Sequence, residues 1–105
     1  MQMTLVSRTL VAAAAATLTA AAQQTLPDNV KQIVDRSCTA CHGAAKQMAN
    51  LRLDTPAALR RMIVPGKPDA SALFLRVSTT EQPRMPLGGK LPDNEIAALR
   101  TWILN

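Results

Sequence analysis

The chain has 105 residues and a formal net charge of +5. That length allows one small domain, and two Cys, one His, one Phe, one Trp and no Tyr leave few side chains for chemistry or an aromatic core. The basic residues are scattered, with only Arg60-Arg61 adjacent. This excludes a nucleic-acid binder, which needs a basic cluster interleaved with aromatics that stack on bases.

Residues 1–8 carry one charge, Arg8, and residues 9–22 carry none. That second run is mostly Ala with Leu, Val and Thr, and it ends in the small residues Ala20-Ala21-Ala22. A charged start, an apolar stretch and a small-residue cleavage site make a secretory signal peptide. An Ala-rich buried helix is the alternative. A membrane span needs about 20 apolar residues, and this run is shorter and contains Thr17 and Thr19. Cleavage after Ala22 would leave residues 23–105 as one domain in the periplasm, with no membrane span.

Val30, Ile33 and Val34 recur at helical spacing and predict a helix over 28–36, with Asp28 or a neighbour as its cap. A loop of small residues begins at Gly43. Residues 51–54 alternate apolar and polar, as a short extended piece does. Thr55-Pro56 starts a second helix, with Thr as cap and Pro at the first helical position; Ala57, Leu59, Met62 and Ile63 carry it over 56–63. Pro65-Gly66 ends it, and Pro68 keeps the linker extended. Asp69 or Ser71 caps a third helix holding Ala72, Leu73, Leu75, Arg76 and Val77. Residues 78–90 have no helical period, and Pro83, Pro86, Gly88 and Gly89 mark irregular backbone around Met85. Pro92 opens the last helix. Asp93 and Glu95 in its first turn and Arg100 near its end suit the helix dipole; Ile96, Leu99 and Ile103 form its core stripe, with Trp102 beside it. The expected class is all-α, with about four short helices and long loops.

Both Cys and the one His lie within five residues, Cys38-Thr39-Ala40-Cys41-His42. C-x-x-C-H is the attachment signature of c-type haem. Two thiols separated by two residues can each add to one vinyl group along a porphyrin edge, and the His that follows then binds the iron. Its other ring nitrogen should donate to a carbonyl, for which Pro65 is a candidate. Three rival readings remain: a plain disulfide of a secreted protein, a redox-active Cys pair, which wants a βαβ context not visible here, and a zinc site, which usually needs four ligands. A haem also explains how so few aromatics could make a core, since the porphyrin would be part of it.

His42 is the only His, so the sixth iron ligand must be another residue. Met48, Met62 and Met85 follow the signal sequence. Met62 sits in an amphipathic helix, where a gap-filling core role is usual, and Met48 reads as a loop or pocket residue. Met85, on the Pro- and Gly-bounded loop, is the favoured ligand, because Met is a standard axial partner of haem.

The motif together with Leu51-Arg52-Leu53-Asp54-Thr55, Ile63-Val64-Pro65-Gly66-Lys67-Pro68, Arg84-Met85-Pro86 and the 92–103 helix resembles the class I c-type cytochromes. Within them it is most similar to planctomycete-type cytochrome c domains. The resemblance implies a small cytochrome c fold with the first and last helices crossed. It places one covalent haem c between them, with His42 and Met85 on the iron. It also implies outer-sphere single-electron transfer with a dehydrogenase, oxidase or multi-haem cytochrome as partner. Many of these proteins pack a Gly and an aromatic of the first helix against the last; here Val30, Ile33 and Val34 stand in their place. Arg52 and Arg84 are candidates to pair with haem propionates, with solvent-facing roles as the alternative. No acid, base or nucleophile constellation accompanies the motif, so an electron carrier is expected rather than an enzyme. The competing functions are a haem-based ligand sensor and a subunit docked in a larger oxidoreductase complex.

Overall fold

The computed structural model describes Thr4 and residues 25–105. The signal-peptide reading of residues 1–22 falls, Thr4 apart, outside them. The described residues are all-α, with four helices and no strand: α1 (Asp28–Ser37), α2 (Pro56–Arg60), α3 (Ala72–Ser78) and α4 (Asp93–Leu104). Short 3₁₀ turns lie at Met48–Asn50 and Pro68–Ala70.

The apolar spacing of α1 explains its place. Val30, Ile33 and Val34 fall on one side and are all buried. They pack on α4, whose Leu99 and Ile103 are only 2% and 1% exposed. Three aliphatic side chains thus fill the contact where an aromatic and a glycine were the family expectation. Arg36 of α1 also pairs with Glu95 of α4. Leu53, Leu59, Leu73, Val77 and Leu91 complete the same core cluster, and α3 joins it by packing on α4.

Helix ends differ from expectation where local hydrogen bonds compete. Pro27, not Asp28, holds the cap position of α1, and no side chain caps it. Asp28 lies inside the first turn, where its charge still faces the positive end of the dipole. At α2 the Thr55 hydroxyl accepts the Ala58 N–H at 3.1 Å, as the sequence predicts. The helix stops at Arg60 rather than Ile63 because its bonds tighten: Met62 N–H donates to Leu59 and Ile63 N–H to Arg60, both three residues back. Ser71 precedes α3 without capping it. Its fully buried hydroxyl instead accepts the Val64 N–H at 2.9 Å and donates to the Lys67 carbonyl at 2.7 Å. It thereby folds the 64–71 linker on itself. Gly66, in the left-handed region at φ 79°, donates its N–H to the Ile103 carbonyl at 2.7 Å and fastens that linker to α4.

Candidate functional site

The five-residue motif begins where α1 ends. Cys38 is the C-cap, and its N–H still donates to the Val34 carbonyl. The chain then turns tightly, with the Cys41 and His42 N–H groups both donating to the Cys38 carbonyl, at 3.3 and 3.0 Å. That turn draws both sulfur-bearing residues and the imidazole together at one helix end. The segment is braced from outside as well. The His42 carbonyl accepts the Leu53 N–H at 2.7 Å, and the Cys41 carbonyl accepts the Met48 N–H at 2.8 Å.

Gly43 makes the turn possible by what it lacks. A Cβ there would stand 2.4 Å from the Thr39 carbonyl oxygen. Gly43→Ala should therefore displace the motif backbone and cost about 1–3 kcal/mol, the usual range for overpacking. Denaturant unfolding of the haem-loaded variant checks it, and an unchanged midpoint would contradict this account.

These residues open onto a cavity of 390 Å³. Cys38, Cys41 and His42 line it from the motif; Met48, Met62 and Met85 line it from three other segments. Leu51, Leu53, Leu73, Val77 and Leu91 supply apolar wall, and Arg76 is the one charged residue on it among the described residues. All three candidate methionines therefore reach one space, including Met62, for which a plain core role was the usual expectation. Met48 and Ala49 get there through a left-handed pair, Ala49 at φ 55° and Asn50 at φ 59°. Asn50 is a residue type that visits this region, but Ala49 rarely adopts it, so the pair is not announced by its residue types.

His42 is 9% exposed, and its Nδ1 has no hydrogen-bond partner among the described residues. The Pro65 carbonyl expected to receive it does not: Pro65 lines a separate open groove beside Trp102. A buried polar atom without a partner costs about 1–3 kcal/mol, so His42 is not a satisfied core histidine. Arg52 and Arg84 are not on the cavity wall. Arg52 is held by Asp54 in a two-point pair, with Nε at 2.9 Å, which keeps the Asp54 carboxyl below the usual range. Arg84 donates from Nε to the Gly89 carbonyl within its own loop, at 3.2 Å. Arg76, counted only as a member of α3 in the sequence, is the basic residue that the structure brings to this wall. Its signal is positional: it lies four residues from Ala72 and next to Val77, both on the cavity wall.

The rival chemistries lose support here. Cys38 and Cys41 are both free thiols. Burial pushes the Cys38 thiol up to about 11, whereas a reactive redox pair needs a lowered value. No group of three or more His, Cys, Asp or Glu side chains among the described residues could hold a metal ion, as a zinc site would require. Two thiols, an imidazole and a thioether around an apolar space are instead the donor set of a covalently attached haem.

Residues 38–86 match the family described as Planctomycete cytochrome C. Over those residues the chain is recognised as a planctomycete-type cytochrome c domain. No curated protein and no solved structure matched it. The match begins at the first motif cysteine and ends one residue past Met85, so it takes in the cavity wall apart from Ser37, Leu87 and Leu91. The match supports a haem-binding electron-transfer protein. None of its described helices is long and apolar enough to cross a membrane.

Proposed function

We propose that the domain holds a single haem c through Cys38 and Cys41, with His42 and Met85 as the axial ligands of its iron, and passes single electrons between redox proteins in the periplasm. The observation that carries this is the convergence of those four side chains on one apolar cavity. The haem supplies a one-electron redox centre when bound.

The protein's own part is attachment, orientation and exclusion of water. Cys38 and Cys41 would hold the porphyrin at the end of α1. His42 is set by the turn that holds its N–H on Cys38. The aliphatic wall keeps water off and disfavours the more highly charged oxidised state, which raises the potential. Met85 acts in the same direction, since thioether ligation raises it too.

Met48 and Leu87 both line the cavity and are 39% and 57% exposed. Apolar groups at the cavity mouth suit contact with a redox partner such as a dehydrogenase, oxidase or multi-haem cytochrome. The scattered positive charge would steer an acidic partner to it. Family membership and the signal-like residues 1–22 support an extracytoplasmic place of work. The optical spectrum of the purified ferric protein tests the reading. A low-spin spectrum with the weak near-infrared sulfur-to-iron band is expected. A high-spin ferric spectrum would overturn it and favour a ligand-binding haem protein.

A further inference from the structure

The loop that bears Met85 has few anchors. Within it, Arg84 donates from its N–H to the Gln82 side chain and from Nε to Gly89, and the Gly89 N–H donates to the Pro86 carbonyl. Those bonds close the loop on itself. Pro83 and Pro86 have no N–H to offer. Among the described residues, the hydrogen bonds that tie residues 82–89 to the rest of the chain both end on one residue of α3. The Met85 N–H donates to the Arg76 carbonyl at 2.9 Å, and Arg76 Nη1 donates to the Pro83 carbonyl at 2.9 Å.

We propose that Arg76 is a positioning residue that clamps the 83–85 segment at two points and so governs how firmly Met85 holds the iron. The inference rests on the axial assignment above. The two bonds fall on Pro83 and Met85, on either side of Arg84, so together they fix both the place and the direction of the segment. A single bond would leave it free to pivot. The Arg76 carbonyl is presented by α3, a rigid element packed on α4. The guanidinium bond is charge-assisted, and a charged donor gives a stronger bond than a neutral one.

Only the side-chain bond can be removed by substitution, which makes the clamp separable from the helix. In the haem-loaded ferric protein, imidazole should compete with Met85 for the iron, read as loss of the near-infrared band. Arg76→Ala should raise imidazole affinity roughly 3- to 10-fold, the scale of one net hydrogen bond. Arg76→Lys keeps a charged donor without the planar fork and should fall between Arg76→Ala and the wild type. It also keeps the test open should Arg76→Ala fold poorly. Leu59→Ala serves as the comparison, because Leu59 is fully buried in the core and off the cavity wall. It should lower the unfolding midpoint and leave imidazole affinity unchanged. Imidazole affinity of the Arg76 variants equal to the wild type, with the band present, would overturn the clamp alone. An equal rise in Leu59→Ala would overturn it too, by showing that general loosening suffices. A wild-type protein without the band would remove the axial assignment and the clamp together.

Discussion

Replacing Cys38 and Cys41 together by Ala should leave a chain that carries no covalent haem and does not fold. The reason is one of scale. A domain of roughly 80 residues has about 4–12 kcal/mol of stability at the usual 0.05–0.15 kcal/mol per residue. A void of 390 Å³, at about 24 cal/mol per Å³ for a cavity that cannot collapse, would cost about 9 kcal/mol. That figure is an upper bound, because the space opens to solvent and its walls can relax. Set against about 4–12 kcal/mol, even a fraction of it is a large loss. The rest of the core cannot compensate, since it is built from aliphatic residues with Phe74 the one buried Phe or Trp among the described residues. Produced beside the wild type in cells that attach haem, the double variant should lack haem after acid extraction. Its far-ultraviolet circular dichroism should lose most of the helical signal. A haem-free double variant with native helix content and a cooperative unfolding transition would show that the core stands without its cofactor.

Much of this was readable from the residues, for reasons that differ by element. The helices α1 and α4 have enough turns for their apolar stripes to show, and both were located to within a residue. The Thr55-Pro56 start of α2 was equally plain, because capping is local chemistry. Its end was not, because the tightening after Leu59 is set against a linker that Ser71 folds from seven residues away. The motif residues were legible because covalent attachment demands fixed residue types at fixed spacing. The charged residue on the cavity wall was not. Arg52 carries the same charge as Arg76, yet Asp54 two residues on captures it. Arg76 is visible as special only once the 83–85 loop has returned to α3. The missing partner of His42 Nδ1 was likewise out of reach, since it depends on where the Pro65 linker is drawn by Gly66 and Ile103.

Met85→Ala should abolish the near-infrared band of the ferric protein, lower the reduction potential by on the order of 0.1 V or more, and open the iron to added ligands. Axial ligation is a principal means by which proteins set haem potentials, over a range of about 0.8 V. Losing a thioether removes a ligand that favours the reduced state. Three methionines line the cavity, so Met48→Ala and Met62→Ala are the decisive comparisons. An axial pair must approach the iron from opposite sides. Met48 is tied through its backbone N–H to Cys41, the neighbour of His42, and so belongs to the same braced segment as the first ligand. Met62 sits where α2 runs out, with its carbonyl committed to the Leu73 N–H; its side chain, like that of Met85, packs against the core. Met85 comes from a loop that Arg76 holds at two points and that no hydrogen bond ties to the motif segment among the described residues. Both comparison variants should keep the band and shift the potential far less than Met85→Ala. If Met62→Ala lost the band while Met85→Ala kept it, α2 would be the source of the sixth ligand. The 83–85 loop would then be only the wall that shields the other side.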